Sequence, residues 1–132
     1  MIIRFNPIAG KCGEIIEKLM SSPDMPKDDS LLFKIRLSIE EAVENIVRYA
    51  YENGDGWMEA GTMLNGANLI ITLRDAGKPF NPLAKGDPDI TLSAEERKIG
   101  GLGIFLCKKL MDSVRYEYKD GCNIFTMTKV IS

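Results

Sequence analysis

Apolar residues recur every three or four positions along one long stretch of the chain. Ile35, Ile39, Ala42, Val43, Ile46, Val47 and Ala50 share that spacing and line one face of an amphipathic helix. Asp28, Asp29 and Ser30 offer N-caps just upstream, and acids there suit the positive helix end. Asn53-Gly54 is the expected stop. A shorter helical pattern covers Ala9–Met20, and Leu102, Phe105, Leu106 and Leu110 stripe a third helix over Leu102–Asp112. The strand-like runs are Ile2–Phe5, ended by Pro7, then Trp57–Leu64, Ala67–Arg74, Val114–Lys119 and Cys122–Ile131. Leu69, Ile71 and Leu73 alternate with Asn68, Thr72 and Arg74, so one face of that run is buried. Asn65-Gly66 and Asp120-Gly121 lie between paired runs as hairpin signals, the first expected as a type I′ turn. Residues 76–99 hold Gly77, Pro79, Pro82, Gly86 and Pro88 and fit no continuous element; a segment this long is often a lid or binding loop. The order β-α-α-β-β-loop-α-β-β implies an α/β two-layer sandwich, with a mixed, mostly antiparallel sheet and helices on one face.

Length and composition then remove several classes of function. The 132 residues suit one domain, with no internal boundary, and 45% apolar with 27% charged residues is the balance of a soluble globular protein. A net charge of −2 gives no basic patch and argues against nucleic acid as a partner. With no histidine, imidazole acid–base chemistry, histidine metal sites and a phosphohistidine are excluded from this chain. Cys12, Cys107 and Cys122 form no C-x-x-C and suggest neither a disulfide framework nor zinc, which fits a reducing cytoplasm. No apolar run reaches membrane-spanning length, and Pro7 and Gly10 interrupt anything like a signal peptide.

Three stretches carry candidate chemistry. Glu41 and Asn45 are four apart and sit one above the other on the long helix. Beside a phosphate, such a carboxylate can take a proton from a hydroxyl or water, and such an amide oxygen can ligate Mg²⁺. Taken alone, the pair is equally a solvated Glu-rich face. Asp75 ends an apolar strand, where it can accept from an amine such as the adenine N6, and Gly77 would let a flat ring approach the backbone. Asp, Gly and Pro are also ordinary turn residues. Gly100, Gly101 and Gly103 feed the third helix, where N–H groups and the helix end favour an anion, with Arg97 and Lys98 just upstream; a flexible hinge is the competing reading. The segment is neither a Rossmann fingerprint nor a Walker A loop.

In that order, Glu41-x-x-x-Asn45, Asp75-x-Gly77-x-Pro79 and Gly100-Gly101-x-Gly103 resemble the three boxes of the Bergerat-fold, or histidine kinase-like, ATPases. The closer resemblance is to the small anti-sigma-factor serine kinases of the RsbW type. It is carried by Glu40–Tyr51, Asp75–Pro82 and Gly100–Leu106 with Leu110-Met-Asp112, and it covers nearly the whole chain. The resemblance implies a general base at Glu41 and a Mg²⁺ ligand at Asn45. It implies adenine recognition at Asp75 with Gly77 under the base. Phosphate contacts are implied at Gly100, Gly101, Leu102 and Gly103, with either Lys98 or Arg97 reaching the phosphates from just upstream, and a mobile ATP lid over residues 83–99. It further implies ATP turned over to ADP, a serine substrate on a STAS-domain antagonist, a sigma-factor partner and a homodimer. The chain departs from the pattern in three places. Ile99 stands where some relatives have Arg, Tyr49 where many have His, and the late-strand threonine that assists adenine has Asn123, Thr126 and Thr128 as alternatives. An ATP- or ADP-gated binding module with little transfer activity is the second reading. The catalytic domain of a histidine kinase is the third, and the absence of any histidine counts against it.

Overall fold

The structure, a computed structural model, describes residues 1–51, 56–83 and 102–131. Five strands form one sheet: β1 (Ile2–Phe5), β2 (Met58–Asn65), β3 (Asn68–Asp75), β4 (Ser113–Lys119) and β5 (Cys122–Val130). Their order is β1-β2-β3-β5-β4. Every described pair is antiparallel, so the expectation of a mixed sheet is corrected. The hairpin from β4 folds β5 back beside β3, and β5 therefore runs against both neighbours.

The helices are α1 (Cys12–Met20), α2 (Asp29–Tyr49) and α3 (Leu102–Leu110). Helix α1 begins three residues later than the pattern suggests, because Gly10 adopts φ 73° and a left-handed residue cannot join a right-handed helix. Asp28 is the N-cap of α2, and its carboxylate accepts from the Leu31 N–H at 2.9 Å. Helix α2 ends at Tyr49, short of Asn53-Gly54, which lie outside the described residues. Tertiary bonds turn the chain away there: the Ala50 carbonyl accepts from the Lys78 N–H at 3.3 Å. The Tyr51 hydroxyl donates to the Trp57 carbonyl at 2.7 Å and accepts from the Ala76 N–H at 2.9 Å. Helix α3 stops at Leu110 rather than Asp112, where the sheet takes over its last carbonyl. Buried Lys129 of β5 donates to the Leu110 oxygen at 2.8 Å, and the Asp112 N–H donates to Thr128 O at 2.9 Å.

Both hairpins form, with one turn shifted. The β2–β3 loop is Gly66-Ala67, and Asn65 remains paired with Asn68. Only Gly66 has positive φ, at 62°, the type II′ pattern rather than type I′. This register sets Glu59 across from Arg74, and the two form an ion pair at 2.7 Å. At the β4–β5 turn, Asp120 (φ 54°) and Gly121 (φ 77°) are both left-handed, as type I′ requires.

One sheet face and the described helices share the core. Ile35, Ile39 and Val43 of α2 are fully buried with Leu69, Ile71 and Leu73 of β3 and Met127 of β5. Each such side chain contributes about 1.5–3 kcal/mol by leaving water. On the other sheet face, Arg4, Glu59 and Arg74 lie in register across three strands. Glu59 Oε1 accepts from both guanidinium groups, at 3.1 and 2.7 Å. Both guanidinium groups also approach the Trp57 ring, at 4.2 and 5.2 Å from its centroid. Among the described residues no helix is long and apolar enough to cross a membrane.

The N-cap offers a direct check on helix α2. Asp28→Ala leaves the Leu31 N–H without its acceptor and should cost about 1 kcal/mol. Thermal unfolding should then shift down by roughly 3–5 °C for a domain of this size.

Candidate functional site

A cleft of about 420 Å³, including its open mouth, lies where α2, the end of β3 and α3 converge. Ala42, Asn45, Ile46 and Tyr49 of α2 form one wall. Asp75, with Lys78 and Phe80 from the following loop, forms another, and Ile104 of α3 and Phe125 of β5 close the apolar floor. Tyr49 and Phe80 bring their rings within 6.1 Å of each other along the cleft. The mainly apolar lining with a few convergent polar groups suits a small-molecule ligand.

Asp75 is the most deeply buried polar group of the cleft, at 3% exposure. Its Oδ1 accepts from the Gly77 N–H at 2.9 Å and from Asn123 Nδ2 at 3.0 Å. Its Oδ2 has no partner among the described residues. A buried carboxylate oxygen left without a donor is costly, and a ligand that presents an N–H at that point offsets the cost. Burial raises the Asp75 pKa above the ordinary carboxylate range, against the lowering effect of the Asn123 and Gly77 bonds. Asn123 is the register partner of Asp75 on β5, which puts the two side chains on the same face.

Glu41 lies one helical turn before Asn45 and is half-buried between α2 and α3. Its carboxylate occupies the space beside Gly103. A Cβ at Gly103 would collide with Glu41 Oε2 and lie 3.3 Å from its Cδ. Burial raises the Glu41 pKa most, Glu44 and Glu40 raise it further, and Arg48 opposes them. Next to it, the buried Cys107 thiol donates to the Ser38 carbonyl at 3.3 Å. Burial, with Glu41 nearby, pushes that thiol up to about 12, which leaves it an inert packing group.

A family model described as the histidine kinase-like ATPase domain matches residues 15–129. The chain belongs to that family. Among similar proteins, the serine-protein kinase RsbW of Listeria monocytogenes is 31% identical over 103 residues, covering 74% of this chain and 65% of that protein. The chain therefore spans about two-thirds of the length of this relative. The serine/threonine-protein kinase BtrW of Bordetella bronchiseptica is 27% identical over 99 residues, covering 74% and 70%. Among solved structures, the catalytic domain of histidine kinase ThkA superposes with a TM-score of 0.63 at 16% identity, covering 99% of this chain and 96% of that one. That likeness speaks to the fold.

Within this histidine kinase-like ATPase domain, the structure brings Asn45 and Asp75 to one cleft and sets Glu41 against Gly103 at the start of α3. At Gly77 a Cβ would collide with the Ala50 carbonyl, so a glycine is required where the loop after β3 approaches the end of α2. Leu102 opens α3. Lys98, Gly100 and Gly101 lie outside the described residues, as does the expected lid apart from Leu83. Of the three late-strand alternatives, Asn123 is at the cleft, whereas Thr126 and Thr128 alternate onto the opposite sheet face. Tyr116 and Phe80 also line the site; nothing in the local pattern marks them, because β4 reaches the cleft only through the strand order.

The buried carboxylate has a stability consequence. The folded-state pKa of Asp75 lies above its unfolded value, so stability present in acid is lost as pH rises from the ordinary carboxylate range through the raised value. Asp75→Asn keeps an acceptor for the Gly77 N–H and Asn123 Nδ2 and removes the charge. It should therefore melt higher than wild type at pH 7, with the gap closing on acidification when followed by circular dichroism. Equal or lower melting at pH 7 would mean that ionised Asp75 does not cost the fold stability.

Proposed function

We propose that this chain is an ATP-dependent serine-protein kinase that also sequesters a sigma factor, with a serine of a STAS-domain antagonist as its substrate. Three findings support the reading: the ATPase family, the serine kinases among its relatives, and the residue pattern shared with the anti-sigma-factor kinases. Asp75 reads the adenine amine through Oδ2, the oxygen that has no partner among the described residues. Asn45 holds Mg²⁺, which supplies neutralising charge for the phosphate oxygens when bound. Lys98, Gly100, Gly101, Leu102 and Gly103 contact the phosphates, and Gly77 seats the loop beneath the base. The protein works as a homodimer in the cytoplasm.

The observation that carries the transfer reading is Glu41. Its carboxylate is half-buried beside the start of α3 and has a raised proton affinity, as a general base near neutral pH needs. Glu41 takes the proton of the attacking serine hydroxyl, and Gly103 gives it room to do so. Arg48 opposes the two neighbouring glutamates there, without cancelling the rise that burial produces.

Binding and transfer separate by mutation. Wild type should bind ATP in the presence of Mg²⁺ at micromolar affinity, roughly −8 kcal/mol, and Asp75→Asn should abolish the calorimetric signal. Glu41→Ala should lose ~10²–10⁴-fold in label transfer from radioactive ATP to the antagonist while still binding nucleotide. Asn45→Ala should weaken both, and exposed Glu44→Ala should stay within about threefold of wild type. Transfer at the wild-type rate by Glu41→Ala would sink the base assignment. Nucleotide binding and sigma-factor retention without transfer to any antagonist would favour the gated binding module.

A further inference from the structure

Asn123 uses every donor and acceptor of its side chain. Its Oδ1 accepts from the Phe80 N–H at 3.1 Å and from the Tyr116 hydroxyl at 2.5 Å. Its Nδ2 donates to the Lys78 carbonyl at 2.9 Å and to Asp75 Oδ1 at 3.0 Å, with a longer contact of 3.3 Å to the Gly77 carbonyl. These partners settle which way the amide points. The Phe80 N–H can only donate and the Lys78 carbonyl can only accept, so a flipped amide would oppose donor to donor and acceptor to acceptor. The amino end of Asn123 is thus held against Asp75 Oδ1. The Gly77 N–H occupies the same oxygen, which leaves Oδ2 as the acceptor available to a ligand.

We infer that Asn123, anchored by Tyr116, is the positioning residue that makes the cleft select a base carrying an exocyclic amine over the same base carrying an oxo group. This rests on the nucleotide reading above. An amine donates to Oδ2; an oxo group sets acceptor against acceptor at a residue with 3% exposure. Without Asn123 the carboxylate is free to turn about its terminal torsion, which is broad for Asp. It can then accept from the ring N–H that a 6-oxo purine carries, and the discrimination falls. The same amide ties the loop from Gly77 to Phe80 down to β5, so its loss also loosens the Phe80 wall for any nucleotide. The ratio between two bases, rather than affinity alone, is the signature of positioning.

Calorimetry with ADP and inosine diphosphate tests this on the full chain. Wild type should prefer ADP by about 10- to 100-fold, the worth of one buried acceptor satisfied or opposed. Asn123→Ala should bring the two affinities within about threefold of each other, chiefly by losing ADP. Tyr116→Phe keeps the amide but releases one of its anchors, and should narrow the preference part-way; it carries the test should Asn123→Ala fail to fold. A wild-type preference retained in either folded variant, with both nucleotides weakened alike, overturns the inference and leaves Asn123 a packing residue. Wild type that binds neither nucleotide overturns the nucleotide reading and this inference with it.

Discussion

Helix α2 and strand β3 meet backbone to backbone at Ala50 and Gly77. A side chain at Gly77 would lie 2.7 Å from the Ala50 carbonyl carbon and 2.9 Å from its Cα, so only glycine permits the approach. The Lys78 N–H fastens the contact by donating to the Ala50 oxygen, and Tyr51 braces it from the far side. Glycine costs the chain extra entropy on folding, of the order of 0.5–1 kcal/mol. What the approach secures is geometry. It brings the Asn45–Tyr49 turn of α2 alongside Asp75, and the cleft exists because these two ends are held together.

The two carboxylates of the region are prepared differently. Asp75 is enclosed and its Oδ1 is held by two donors, so it is fixed as an acceptor with one direction left open. Glu41 has no hydrogen bond among the described residues and is surrounded by Glu40, Glu44 and Arg48. Environments that differ this way can set two chemically similar groups to different hydrogen-bonding and proton-binding behaviour.

Much of this was legible in the sequence. Element order, the Asp28 cap, the buried alternation of β3 and the Glu41–Asn45 stacking follow from periods of 3.6 and 2 and from capping chemistry, which are local. What was not legible depends on contacts between distant segments. The end of α2 at Tyr49 goes with tertiary bonds made by Lys78 and Tyr51. The β2–β3 turn slips by one residue into the register that pairs Glu59 with Arg74. Asn123 could be narrowed only to one of three residues, because its importance comes from lying opposite Asp75, and no local signal encodes which strands are neighbours. The steric demand of the Ala50 carbonyl on Gly77 is likewise a contact between distant segments that no local pattern announces.

Trp57 is the chain's single tryptophan, and its place has an optical consequence. Its ring is flanked by the guanidinium groups of Arg4 and Arg74 on the sheet face away from the helices. Intrinsic emission excited at long wavelength therefore watches the back of the sheet, where two cations and Glu59 set the local field. Tyr51 links that reporter to the cleft, its hydroxyl bridging the Trp57 carbonyl and the N–H of Ala76, the residue after Asp75. A change in colour or yield on filling the cleft would thus be relayed from the end of β3 to the back of the sheet.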